Sequence, residues 1–77
     1  MTDEKPARRF GAVVRRLRQS RGWSQDEFAH QCGLHRSYMG AIERGQKVPT
    51  ITTAQKIAGA LGLSLSLLFA EVERCEP

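Results

Sequence analysis

The chain has 77 residues and a net charge of +4, which divides into +6 over residues 1–62 and −2 over residues 63–77. A chain of this length forms one small domain, and its two cysteines, Cys32 and Cys75, exclude a disulfide framework, so both are expected to be reduced thiols. The absence of an apolar run of ~18 residues or a signal peptide excludes a membrane protein and predicts a cytoplasmic one.

The spacing of apolar residues and helix breakers predicts five helices and no strand. Residues 1–6 are expected to form a flexible arm. The first helix should run from about Ala7 to Arg21, because its apolar residues recur at i, i+3, i+4 and i+7. Ser24 and Glu27 are typical of a capping box, which opens a second helix that reaches about Cys32.

The third helix is predicted from Arg36 to Arg44, after a turn at Gly33 and with His35 near its N-cap. At ~100° per residue, Met39 and Ile42 lie on one side of it. The opposite side is expected to be exposed and consists of Arg36, Ser37, Gly40, Ala41 and Arg44. Small and basic side chains on one face suit the close approach to a DNA groove, and an ordinary solvated helix face is the alternative.

Two further helices are predicted after Thr50 and Ser64, each a helix cap. The inward residues of the fourth are expected to be Ile51, Ala54, Ile57, Ala58 and Leu61. The fifth reaches about Arg74, leaves residues 75–77 as a tail, and carries more apolar residues than one packed face needs. A homodimer is therefore predicted, with an interface that includes part of the fourth helix and, on the fifth, Leu65, Leu68, Phe69 and Val72. Packing of this whole surface within the chain is the alternative.

The order of these helices and several short segments resemble the lambda-repressor-like helix-turn-helix family, also called the XRE or Cro/C1 type. The matching segments are Leu17-Arg18, residues 22–29, Gly33-Leu34, Ser37-Tyr38, residues 42–45, Pro49-Thr50 and residues 56–62. The resemblance implies an all-α fold, a compact five-helix bundle over residues 7–74 whose third helix is the recognition helix. Within the family the chain looks most like restriction–modification controller proteins, and phage repressors and antitoxins, which share most of these segments, remain alternatives.

The resemblance also implies roles for individual residues. Gln25 would contact phosphate at the start of the second helix, and Arg36 and Ser37 would read bases, Arg36 through guanine O6 and N7. The other residues that the resemblance implies at the DNA interface are His35, Tyr38, Ala41, Arg44 and Lys47, and the spacing along the third helix adds Gly40. Ala41 stands where many family members have a polar base reader, which its methyl group cannot replace. Arg18 and Glu43 match a pair that links the first and third helices, and a partly buried ion pair is expected there.

Together these features predict a transcriptional regulator that binds double-stranded DNA sequence-specifically, as a homodimer on a pseudo-palindromic operator. A restriction–modification controller that regulates its own synthesis is one such protein. No small-molecule effector, cofactor or metal ion is expected, and RNA polymerase stays open as a partner. The alternative function is an antitoxin-type module that masks a toxin. An enzyme is not expected, because His30 and His35 have no carboxylate or cysteine partner at catalytic spacing.

Overall fold

The computed structural model describes residues 5–74, and within them every regular element is an α-helix. The five helices are α1 (Lys5–Ser20), α2 (Gln25–Cys32), α3 (Arg36–Glu43), α4 (Ile51–Ala60) and α5 (Leu65–Arg74). The prediction of an all-α five-helix bundle is confirmed. Because α1 begins at Lys5, residues 5 and 6 belong to a helix and the predicted arm is too long. The rest of that arm, residues 1–4, and the predicted tail, residues 75–77, lie outside the described residues.

Side-chain caps fix where four of the helices begin, with a hydroxyl group at the start of α2, α4 and α5 and the His35 ring at the start of α3. The Ser24 hydroxyl accepts a hydrogen bond from the Glu27 amide at 3.0 Å, and the Glu27 carboxylate accepts one from the Ser24 amide at 2.8 Å, which completes the predicted capping box. Thr50 and Ser64 cap α4 and α5 by accepting from the amide three residues on, each at 3.1 Å. Each such cap is typically worth about 1 kcal/mol.

All five helices contribute to one hydrophobic core. Its largest fully buried side chains are Val13, Val14, Phe28, Met39, Ile42, Ile57 and Leu68. The indole of Trp23 stacks on the ring of Phe28 with the ring centroids 5.4 Å apart, which covers the core beside α2. Ile51 was predicted to face inward, but it is 72% exposed, because it is the first residue of α4 and lies beyond the edge of the core.

Close contact between α1 and α3 depends on Gly11. A Cβ atom at Gly11 would lie 2.2 Å from the carbonyl oxygen of Ile42 and 2.8 Å from that of Glu43. No side chain can occupy that space, so only glycine allows the two helix backbones to come this near. α1 therefore supports the C-terminal half of α3 directly through the backbone.

A tight turn at Gly33 joins α2 to α3. Gly33 has φ of 71°, its amide donates to the carbonyl of His30 at 3.0 Å, and the amide of Leu34 donates to the carbonyl of Ala29 at 2.9 Å. A left-handed residue at this position closes the end of α2 and is usually glycine, which has no Cβ to clash. Only residues 33–35 separate the two helices, so the second helix of the pair is held rigidly against the first.

α5 closes the bundle by packing against α1 and α4. Leu68 is completely buried and Val72 is 9% exposed, so both face the chain's own core. Their predicted place in a dimer interface is therefore wrong for this fold, because their side chains are already covered. Phe69 lies at the edge of the core, with its ring centroid 5.8 Å from that of Phe10.

Among residues 5–74, no single helix is long and apolar enough to cross a membrane. The pair formed by α4 and α5 meets the same criterion only when the two are joined across a 94° bend, and then by length and composition alone.

Candidate nucleic-acid interface

α3 has one buried face and one outward polar face. Met39 and Ile42 are completely buried against α1 and α2. On the other side, Arg36, Ser37 and Arg44 are exposed and Ala41 is half-buried. A short helix held on one side by its apolar residues presents the other side as a fixed array of polar groups. For most residues of the predicted outward face, this is the arrangement that the apolar spacing indicated.

Gly40 is the exception, since it is buried although the spacing placed it outward. A Cβ atom there would lie 3.0 Å from Nη1 of Arg44 and 3.2 Å from Oε1 of Gln25. Two long polar side chains therefore lie across Gly40 and cover it. The prediction that Gly40 itself contacts DNA is wrong for this conformation, and its role is to leave room for Gln25 and Arg44.

His35 caps the N-terminus of α3. Its Nδ1 accepts a hydrogen bond from the Ser37 amide at 3.1 Å and lies 2.8 Å from the Ser37 hydroxyl oxygen. Because Nδ1 accepts from the amide, it carries no proton, and the hydroxyl must donate to it as well. The oxygen of Ser37 then keeps its lone pairs free. At this position Ser37 offers an acceptor, which suits the amino group of adenine or cytosine.

Arg36, the first residue of α3, is paired with a residue that sequence reasoning did not single out. Its Nη1 lies 3.2 Å from Oδ2 of Asp26, in the first turn of α2. The two side chains are 70% and 63% exposed, so this is a surface ion pair. The sequence offers little signal for it, because residues ten apart meet only when the turn at Gly33 brings the two helix N-termini together.

A buried polar network ties α1, α2 and α3 together behind the outward face. Arg18 donates to the carboxylate of Glu43 from two of its nitrogens, and its Nη1 donates to the carbonyl of Trp23 at 2.9 Å. Nε2 of Gln25 donates to Oε1 of Glu43 at 3.0 Å. The hydrogen bonds with Glu43 raise the pKa of Arg18 above its ordinary value. The end of α3 is thus fixed to both neighbouring helices by charged and polar contacts.

Gln25 was predicted to contact phosphate, and its hydrogen bond to Glu43 leaves room for that contact as well. Only one of its two amide protons is needed for the bond to Glu43, so the other stays available as a donor at the start of α2. The N-terminus of a helix also carries a partial positive charge that favours an anion.

The remaining predicted contacts surround the outward face of α3. Arg44 follows the last residue of the helix, and its Nε donates to Oε1 of Gln46 at 3.0 Å. Lys47 is exposed in the loop before α4, whereas Tyr38 is half-buried and packs against the core. Arg36 and Arg44 are thus two exposed cationic groups at the two ends of α3, and Lys47 adds a third in the loop that follows.

A shallow apolar groove lies at the start of α1. Its volume is about 340 Å³, and it is lined by Pro6, Ala7, Phe10, Val48, Pro49 and Phe69. Val48, Ile51 and Phe69 are 80%, 72% and 40% exposed. Of the predicted dimer residues on α5, Phe69 is accordingly the exposed one, and Leu65 is half-buried. Sequence reasoning missed Val48, although an apolar residue between Lys47 and Pro49 in a loop is itself a signal.

Comparison with known proteins gives a family match over most of this structure. The model of the helix-turn-helix (HTH_3) family matches residues 14–68. The control protein C.MunI of a Mycoplasma species is 37% identical over 67 residues, which cover 86% of this chain and 90% of that protein. The control protein C.BamHI of Bacillus amyloliquefaciens is 39% identical over 70 residues, which cover 87% and 86%.

A solved structure agrees with these sequence matches. The crystal structure of the restriction-modification controller protein C.AhdI from Aeromonas hydrophila is similar to this chain with a TM-score of 0.78 and 40% sequence identity. The similarity covers 82% of this chain and 96% of that protein. The resemblance read from short segments of sequence is therefore confirmed over nearly the whole length of the controller proteins.

Proposed function

Because this chain belongs to the helix-turn-helix family of transcriptional regulators, we propose that it binds double-stranded DNA sequence-specifically, as a homodimer on a pseudo-palindromic operator. The observation that carries the proposal is the division of α3. Its buried face is completely covered by the chain, while Arg36, Ser37 and Arg44 point away from the core on a rigid support. A helix of this kind can enter the major groove with its polar side against the base edges.

The residues of this face divide into base readers and backbone contacts. Arg36 and Ser37, at the N-terminus of α3, read bases, since residues at that end of a recognition helix reach deepest into the groove. Arg36 provides a donor pair for guanine and Ser37 an acceptor. Phosphate contacts fall to the residues around them, which are Gln25, His35, Tyr38, Arg44 and Lys47. Ala41 contributes only apolar contact, for example with a thymine methyl group.

The proposal of a homodimer is supported by the small size of the outward face of α3. α3 has eight residues and is therefore roughly 12 Å long, which spans about three to four base pairs. One such surface distinguishes few sites, and a second copy raises affinity and specificity together. The exposed apolar side chains of Val48, Ile51 and Phe69 provide the surface for this contact. The proposed dimer interface therefore no longer includes Leu68 and Val72, but it keeps Phe69 and part of α4.

The similarity to control proteins supports a restriction–modification controller that regulates its own synthesis. In such a protein the concentration of the chain itself would set operator occupancy through dimerisation. A cytoplasmic location and the absence of a small-molecule effector belong to the same proposal. No surface of the chain is assigned to a contact with RNA polymerase.

Selection of bound sites from random duplexes, followed by footprinting of the selected site, tests this proposal. We expect two inverted half-sites whose centres lie about one helical turn, ~34 Å, apart, each protected by one protomer. The logarithm of the affinity should fall linearly with the logarithm of the salt concentration, since phosphate contacts release counterions. Failure to bind any duplex at low salt would refute the proposal and favour the antitoxin-type alternative.

A further inference from the structure

Asp26 is an acidic residue at the edge of a surface proposed to bind a polyanion. Its carboxylate lies in the first turn of α2, 3.2 Å from the guanidinium of Arg36. Both side chains are largely exposed, and an exposed ion pair contributes little to folding stability because water and salt screen it. The contact therefore calls for an explanation other than stability.

The geometry of the pair leaves the reading edge of Arg36 free. Asp26 accepts one hydrogen bond, from Nη1. A guanidinium has five N–H donors in a rigid plane, so the Nε and Nη2 edge keeps the two parallel donors that match O6 and N7 of guanine. A fixed partner on Nη1 also restricts the rotation of a side chain that otherwise has many rotamers. The guanidinium plane of Arg36 is thereby oriented before Arg36 contacts a base.

The charge of Asp26 acts against the competing contact. On unrelated DNA, Arg36 would turn to the nearest phosphate and leave Asp26 unpaired beside the negative backbone. Like charges at short distance repel strongly where water is displaced. The carboxylate therefore opposes the arginine–phosphate contact but tolerates the arginine–guanine contact, in which Arg36 stays near it.

We infer that Asp26 is a specificity-determining positioning residue, which orients Arg36 toward a base and disfavours its use as a phosphate contact. The inference rests on the proposed function, since it assigns Asp26 a part in DNA reading. It predicts that the carboxylate lowers the affinity for random DNA while it sharpens the preference at one base pair of each half-site. A purely electrostatic role would instead change the affinity for all sequences by the same factor.

The test measures base preference by competition between a duplex with the selected site and duplexes changed at the base pair that Arg36 reads. The full chain is compared with Asp26→Asn, which keeps the shape and removes the charge. We expect Asp26→Asn to lower the preference about three- to tenfold and to raise the affinity for a random duplex. Because the preference is a ratio measured on one variant, a partial loss of folding cancels from it.

Two further variants serve as controls. Glu27→Gln removes the same charge from the same turn of α2, and glutamine can still complete the capping box. It should raise the affinity for every duplex alike and leave the preference intact. Asp26→Glu restores a carboxylate with a longer reach, and it should recover most of the preference.

The double variant Asp26→Asn, Arg36→Ala separates this inference from the proposed function. If Asp26 acts through Arg36, it should show the base preference of Arg36→Ala alone. An unchanged preference in Asp26→Asn, alongside a lost preference in Arg36→Ala, would overturn the inference and leave the proposed function standing. An absence of duplex binding by the unmodified chain would overturn both.

Discussion

Arg18 of α1 and Glu43 of α3 are joined by two hydrogen bonds, from Nε to Oε2 at 2.7 Å and from Nη2 to Oε1 at 3.0 Å. The two side chains are only 10% and 3% exposed. Glu43 is the last residue of α3, so the pair fixes the end of the helix that is proposed to enter the groove. Desolvation of both charges offsets much of their attraction, and the pair therefore favours one orientation more than it adds net stability.

Replacing Glu43 with glutamine should reveal how much this pair contributes to folding stability and to DNA affinity. Glu43→Gln leaves the buried guanidinium without a counter-charge, although the amide oxygen still accepts one hydrogen bond. Because loss of one partner of a buried pair is strongly destabilising, we expect the free energy of unfolding to fall by about 2–4 kcal/mol. Urea denaturation measures this change, and affinity for the selected duplex should fall with it.

The ion pair between Arg16 and Glu71 provides the matched control. It also joins two helices, at 2.8 Å, but the Arg16 side chain is 60% exposed. Arg16→Gln should therefore change the free energy of unfolding by less than about 1 kcal/mol. Equal effects of the two substitutions would mean that burial of the Arg18 pair has no structural importance.

A methyl group at Gly11 should disturb the fold much more than one elsewhere in a helix. In Gly11→Ala the new Cβ would meet the carbonyl oxygen of Ile42 at 2.2 Å, so α1 and α3 must separate. Overpacking of this kind typically costs about 1–3 kcal/mol or more. In Gly59→Ala the new Cβ meets nothing within 4 Å and lies inside α4, so helix propensity should raise stability by about 0.5–1 kcal/mol. Thermal unfolding of both variants should give shifts of opposite sign.

The sequence predicted the number of helices, their caps and the buried face of α3, because these depend on local spacing and on residues close in the chain. It failed where a residue's environment is set by distant segments. Gly40 is covered by Gln25 from another helix, and Ile51 is exposed because α4 begins beyond the core. Leu68 was predicted to be surplus apolar surface on the fifth helix, yet it is completely buried where α5 packs against α1 and α4. Asp26 was missed because its partner is ten residues away across a turn.

The thiol of Cys32 should make stability depend on pH in the alkaline range. Burial disfavours its thiolate and raises its pKa from 9.0 to about 11. Below pH 9 the thiol is protonated in both the folded and the unfolded chain, so its contribution to the free energy of unfolding is fully present. Between pH 9 and 11 the unfolded chain loses the proton first, and the free energy of unfolding falls by about 3 kcal/mol at most.

Comparison with Cys32→Ala isolates the contribution of this thiol from every other effect of alkaline pH. Cys75 is replaced by serine in both chains, so that one thiol alone is followed. Urea denaturation at pH 8 and at pH 10.5 should show a smaller loss in Cys32→Ala than in the parent chain. The same loss in both would indicate that Cys32 ionises as readily in the folded chain as in the unfolded one.

Dimerisation should depend on the exposed apolar residues around the groove at the start of α1. Ile51 begins α4 two residues after Pro49, which lines the groove, and it is 72% exposed, so Ile51→Ser removes exposed apolar surface with little effect on the core. We expect the dimer dissociation constant to rise about tenfold or more, since loss of one buried aliphatic side chain corresponds to about 1.5–3 kcal/mol. Sedimentation equilibrium measures it.

Leu67 offers a control for that experiment on α5. It is 56% exposed and lies about 160° around the helix from Phe69. Leu67→Ser should leave the dissociation constant unchanged. The reverse result, with dimerisation lost in Leu67→Ser and kept in Ile51→Ser, would place the partner on the other side of α5.

Arg36→Ala and Gln25→Ala should weaken DNA binding in different ways. Arg36 is proposed to contact a base, so Arg36→Ala should cost about 1–3 kcal/mol on the selected duplex and flatten the preference at one base pair of each half-site. Gln25 is proposed to contact phosphate, so Gln25→Ala should weaken binding to selected and random duplexes by the same factor.

Fluorescence anisotropy with both duplexes, at several salt concentrations, distinguishes the two outcomes. Gln25 also bonds Glu43, so a thermal unfolding curve must accompany its measurement to correct for unfolded chain. If Arg36→Ala lowered the affinity for selected and random duplexes equally, Arg36 would be a phosphate contact. The base reading at the N-terminus of α3 would then have to come from Ser37, whose oxygen the cap by His35 keeps available as an acceptor.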